Sequence, residues 1–184
     1  MTTARSGKGR STRKASAAKA TKVARTPRAK RPGEISPMKK AELSRRFIAN
    51  LCGGKDWSDV YELAKAGLAG RAFSAETVES FLVEAIAGEG RPSLREALVS
   101  DRSWKRRRRG QSALSAAEVQ RIVSVGKVVR EARRLWPDRA VAEAFLTSPH
   151  PRLRGEAPMQ AAATEAGLPA VMELLERIEE GAPV

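Results

Sequence analysis

Apolar residues in this chain recur at helical spacing and almost nowhere alternate as a strand requires. Val60, Leu63, Ala64, Gly67 and Leu68 stand at i, i+3, i+4, i+7 and i+8, which is one face of a helix. Ser74 is placed to cap a second helix whose apolar face is Val78, Phe81, Leu82, Ala85 and Ile86, and Gly88 and Gly90 stop it. Pro92-Ser93 opens a short helix with Leu94, Ala97 and Leu98, and Ser100-Asp101 caps the next. Ser115 caps a longer helix with Val119, Ile122, Val123, Val129 and Ala132 inward, closing at Trp136-Pro137. Val141, Ala144 and Phe145 mark the apolar side of the helix after it, which Pro149 and Pro151 break. Pro158 and Pro169 each fall where a first turn accepts proline. The last helix turns Val171, Leu174, Leu175 and Ile178 to one side, with Phe145 expected beneath Leu175 and Ile178, and ends at Gly181. Aromatic residues are only 4%, so Ala, Leu and Val must fill the core, and that favours helix on helix. The spacing predicts an all-α protein of eight or nine short helices.

Charge divides the same chain into three. Residues 1–46 hold 15 basic and 2 acidic side chains, residues 47–136 hold 16 and 11, and residues 137–184 hold 4 and 8. The net values are +13, +5 and −4, within a total of +14. Residues 1–33 are Lys, Arg, Ala, Ser, Thr, Gly and Pro with almost no sizeable apolar side chain, so they cannot bury enough surface to offset the entropy of ordering. We therefore expect a disordered basic tail over 1–46, a helix-turn-helix-like domain over 47–117 and a second small helical domain over 118–184.

Several functional classes are disfavoured. No apolar run is long enough to span a bilayer or form the core of a secretory signal, which argues against a membrane role. Cys52 is the only cysteine and His150 the only histidine, so neither a disulfide framework, a structural zinc site nor a Cys–His nucleophile pair is expected. No glycine-rich phosphate loop follows a strand-like run. We expect no catalytic residues, no metal and no cofactor; the chain reads as a binding protein rather than an enzyme.

The strongest local signal is at residues 93–109. Two short helices joined by Val99-Ser100-Asp101, the second densely basic, have the organisation of a helix-turn-helix. A helix in the major groove needs Arg or Lys for phosphates and guanine edges, with an apolar anchor beneath, and Trp104 is placed to be that anchor. Arg102, Ser103, Lys105, Arg106, Arg107, Arg108 and Arg109 are the candidate DNA-binding residues. A basic tail would add affinity through counterion release without reading sequence. At the other end, Glu173, Glu176, Glu179 and Glu180 fall on the outer side of the last helix. The segment Gly181-Ala182-Pro183-Val184 that follows is short, apolar and stiffened by proline, as a docking peptide would be.

From Trp57 onward the chain resembles the MbcA/ParS/Xre antitoxin family, partners of RES-domain toxins. The resemblance is most specific over 118–181. It rests on Leu135-Trp136, on Ala144-Phe145-Leu146, on the loop SPHPRLRGEAP at 148–158, on Thr164-Glu165-Ala166-Gly167, and on the run from Val171 through Ile178 to Gly181. Upstream, residues 60–68 and 93–109, followed by Leu114-Ser115-Ala116-Ala117-Glu118, fall where the family has a helix and its helix-turn-helix. Phe145 stands where a Trp is usual, and residues 1–46 have no counterpart. The resemblance implies an antitoxin of a type II toxin–antitoxin system, acting in the bacterial cytoplasm and associated with the nucleoid when on DNA. Its N-terminal part would form a homodimer and repress its own operon by binding double-stranded promoter DNA. Its C-terminal helices would hold a RES-domain, NAD-degrading toxin through Arg177, Glu180, Gly181, Ala182, Pro183 and Val184. The alternative expectation is a stand-alone DNA-binding regulator or nucleoid-associated protein without a toxin partner.

Overall fold

The computed structural model of the protein describes residues 35–54, 56–110 and 112–183. The first 34 residues of the basic tail expected over 1–46 therefore lie outside the described residues. Among those described there are nine α-helices, two single 3₁₀ turns and no strand. They are α1 (Pro37–Gly53), α2 (Trp57–Ala69), α3 (Ala75–Ala85), α4 (Arg91–Leu98), α5 (Asp101–Arg108), α6 (Ala116–Leu135), α7 (Arg139–Thr147), α8 (Pro158–Ala161) and α9 (Gly167–Glu179). The all-α class read from the spacing is the class observed.

The helix starts follow capping chemistry. Asp56 and Asp138 each accept a hydrogen bond, at 2.8 Å, from the backbone N–H two residues on, which opens α2 and α7. Ser74 N–H donates to Thr77 Oγ1 at 3.0 Å at the head of α3. At the head of α6, Ser115 N–H donates to the Glu118 carboxylate at 2.7 Å while Ser115 Oγ accepts from Glu118 N–H, a reciprocal capping box. Prolines stand in the first turns of α1, α4 and α8.

α6 is the axis of the fold. Val119, Ile122, Val123, Val125, Val128, Val129 and Ala132 are buried along it, covering several of its sides rather than one stripe. A helix apolar on several sides must be surrounded, and α6 packs on α1, α3, α4, α7, α8 and α9. Phe47, Leu51, Val60, Phe73, Val78 and Phe81 fill the side under α1–α3, while Leu146, Val171, Leu174 and Leu175 fill the side under α7 and α9. One continuous cluster of buried residues joins the two.

Several sequence expectations meet differences here. The tail boundary at residue 46 falls inside α1, because Phe47, Ile48, Leu51 and Cys52 are buried and draw residues 37–46 into the same helix. The division at 117/118 falls in the first turn of α6, and the described residues from 35 on pack as one compact unit. On α7 the buried pair is Ala142 and Leu146; Val141 is 46% exposed and Ala144 faces outward, so the inward face is one residue away from the expected one. Leu175 is buried as expected, Ile178 only partly. Phe145 is half-buried with its ring 4.8 Å from that of Trp136.

Candidate functional site

α4 and α5 are set by burial of Leu94, Leu98 and Val99, with Val99 in extended conformation as the turn between them. Ser100 carbonyl accepts the Trp104 N–H at 2.8 Å and starts α5. Trp104 packs against the core as the expected anchor, and the Arg95 guanidinium lies 5.6 Å from its ring centre. Arg95 also pairs with Asp101 at 2.8 Å, tying the two helices together.

Of the basic run, Arg102, Lys105, Arg106, Arg108 and Arg109 are exposed and Ser103 is half-buried. Arg108 lies 3.8 Å from Glu79; the other four make no ion pair among the described residues. Arg107 is different. It is 5% exposed, and its guanidinium donates to both oxygens of the buried Glu118, to Ser112 Oγ at 2.9 Å and to the Ala113 carbonyl. Successive helix residues rotate by about 100°, so a run of five cations must turn at least one inward, and here it is Arg107. This removes Arg107 from the residues open to a partner. Burial pushes the Glu118 pKa up, but hydrogen bonds from Ser115 N–H, Ser115 Oγ and Arg107, with the Arg107 charge, outweigh it and hold the carboxyl below the usual glutamate value. The contact to Glu118 makes the end of α5 part of the α6 cap.

The second surface is at the end of α9. Glu173, Glu176, Glu179 and Glu180 are exposed, and Arg134 of α6 grips Glu179 with two hydrogen bonds of 2.7 and 2.6 Å. That grip, above all, holds the Glu179 carboxyl below its usual pKa. Gly181 takes a φ of +70°, its N–H donates to the Ile178 carbonyl at 3.1 Å, and Ala182 N–H donates to the Arg177 carbonyl at 2.9 Å. This is a Schellman turn, which sends the chain sharply off the helix axis. Arg152 Nη2 then donates to the Pro183 carbonyl at 3.0 Å, so residues 181–183 fold back beside the loop at 148–158. Arg177 is half-buried, and its Nε has no hydrogen-bond partner among the described residues. Of the six residues expected to meet a partner here, Val184 lies outside the described residues.

The loop at 148–158 is internally bonded. His150 N–H donates to the Glu156 carbonyl, and the His150 carbonyl accepts from Leu153 and Gly155 N–H groups at 2.9 and 3.1 Å. Arg154 adopts φ 59°, ψ 27°, a left-handed conformation that costs a side-chain-bearing residue roughly 1–2 kcal/mol. Arg71, at the turn after α2, is the other non-glycine residue with positive φ among those described. Both arginines are exposed. Arg71, Arg152 and Arg154 were not singled out in the sequence, although Arg154-Gly155 between prolines is a turn signal that places a cation at a loop tip. A groove of ≈ 320 Å³ lined by Trp57, Tyr61, Lys127, Glu131 and Met172 also had no sequence signature, because its walls come from α2, α6 and α9.

Among the described residues no cluster of His, Cys, Asp and Glu side chains is arranged to hold a metal, and no helix is long and apolar enough to cross a membrane. Nothing among curated proteins or solved structures matches the chain. Residues 131–181, which run from the end of α6 through the loop and α9 to the Schellman glycine, do match a sequence family. That segment matches the model of the antitoxin Xre/MbcA/ParS C-terminal toxin-binding domain.

Proposed function

We propose that the protein is the antitoxin of a type II toxin–antitoxin pair, binding and inhibiting a RES-domain toxin that degrades NAD. The match of residues 131–181 to the antitoxin toxin-binding domain is the observation that carries this reading. The toxin would sit on the edge formed by α9, the loop at 148–158 and residues 181–184. The Schellman turn at Gly181 and the proline at 183 support a fixed, apolar hook that loses little freedom on docking. In this reading the hook, with Arg177 and Glu180 at its root, enters the toxin's NAD cleft, and α9 supplies the remaining contact area.

A second activity completes the proposal: a homodimer of the chain represses its own operon by binding promoter DNA. Arg102, Lys105, Arg106 and Arg109, exposed without an acidic partner among the described residues, and the loosely paired Arg108 support α5 as the element that meets the duplex. The basic residues of the first 46 would add sequence-independent affinity. The test is co-expression with the product of the adjacent reading frame, then co-purification. Recovery of a RES-domain protein with the chain is the expected result. Retention of promoter binding with no RES-domain partner would instead favour a stand-alone DNA-binding regulator.

A further inference from the structure

We infer that Arg154, at the tip of the loop at 148–158, is a specificity-determining contact that takes an acidic group on the surface of the bound toxin. The inference rests on the antitoxin reading and deepens it by naming the chemistry of the partner at one point. Three observations meet at this residue.

The first is conformation. Arg154 holds φ 59°, immediately before Gly155 at φ 80°, so two successive residues are left-handed. Glycine accepts such a backbone at no steric cost and arginine does not. The loop's own hydrogen bonds, from His150 to Glu156, impose that backbone whatever the side chain. The strain therefore contributes nothing to the fold that glycine would not provide.

The second is charge. Six arginines lie within residues 131–181. Arg133, Arg134 and Arg139 are held in ion pairs with Glu84, Glu131, Glu179 and Glu143. Arg152 holds the Pro183 carbonyl, and Arg177 is half-buried. Arg154 is exposed, and its guanidinium touches no partner among the described residues. It is a full positive charge in a segment whose net charge is negative, with six basic against nine acidic side chains.

The third is position. Arg152, two residues away, fixes the chain that leaves the Schellman turn. Residues 181–183 thereby lie against the loop that carries Arg154, so a protein engaged with them comes to the same edge of the molecule. A carboxylate there would meet a planar donor fork with both of its N–H edges open, whereas a lysine would offer only a point charge.

The experiment titrates four variants with the RES-domain protein recovered by co-expression, alongside thermal melts and promoter-DNA binding. Arg154→Gly relieves the left-handed strain, so its melting midpoint should stand at or above that of the unmodified chain. Its affinity for the toxin should nevertheless fall about 10- to 100-fold, the worth of a charge-assisted hydrogen bond. Arg154→Lys should recover part of that loss and Arg154→Glu should deepen it. Arg71→Gly relieves the same kind of strain outside the matched segment and should leave toxin affinity unchanged. Undiminished toxin binding by Arg154→Gly would overturn the inference, as would an equal loss from Arg71→Gly. Loss of promoter binding by Arg154→Gly with toxin affinity intact would assign the loop to phosphate and also overturn it. If the unmodified chain binds no RES-domain protein, the antitoxin reading itself falls, a result distinct from any variant's behaviour.

Discussion

Arg107 and Glu118 are both buried, and each is tolerable only because the other is there. Removing one member of such a pair leaves an uncompensated charge away from water, which costs about 3–5 kcal/mol. Glu118→Gln also weakens the capping box of α6, so its unfolding midpoint in urea should fall further than that of Arg108→Gln, an exposed neighbour on the same helix. The pair also carries a pH dependence. Because the Glu118 pKa is lower folded than unfolded, its contribution to stability is complete above the unfolded value and is lost as pH falls through the folded one. Melting curves should show this loss on the acid side of the ordinary glutamate range, and Glu118→Gln should flatten it. The residue scale is also where the sequence was least legible. A run of consecutive cations reads as solvated, and nothing local says which one is inward. The partner that decides it, Glu118, is eleven positions away in the next helix.

Between elements, α1 packs tightly on α6, where Gly126 leaves room for Leu51. A Cβ at Gly126 would lie 2.4 Å from both Cγ and Cδ1 of that fully buried leucine. Gly126→Ala gains up to about 1 kcal/mol of helix propensity, but overpacking of about 1–3 kcal/mol outweighs it, so the thermal midpoint should drop. Gly53→Ala, where nothing lies within 4 Å, should not lower it. On α9, Leu175 is buried, and Leu175→Ala should cost about 2–5 kcal/mol in equilibrium unfolding. The helices themselves were legible because their caps and apolar spacing are local. Ser74, Ser115, Pro92 and Pro158 mark starts where the chain begins to turn. The face of α7 was not. Three of its nine residues are alanine, and which of Ala142 or Ala144 turns inward depends on α6, α8 and the contact between the Trp136 and Phe145 rings. The tail boundary at residue 46 missed α1 because four buried residues near the helix end hold a polar first half in register.

On the scale of the whole molecule, charge is arranged in order along the chain, from +13 at the start to −4 at the end. If α5 and the basic N-terminal residues share one duplex, reversing Arg102, Lys105 and Arg106 should abolish promoter preference in a binding assay. Deleting residues 1–33 should weaken binding to all sequences alike and reduce its salt dependence. An unchanged salt slope after that deletion would leave the N-terminal segment without a part in DNA binding. The candidate toxin-facing edge was partly legible. The turn glycine and the stiff segment after it stand out in the sequence, whereas Arg152 and Arg154 gain meaning only when the loop folds against residues 181–183. The toxin-silencing role proposed for the matched segment is open to measurement. Its most direct test is NAD consumption by the purified RES-domain partner, titrated with the full-length chain. Consumption should stop near one antitoxin domain per toxin; NAD loss that continues undiminished with the chain in excess would contradict the account.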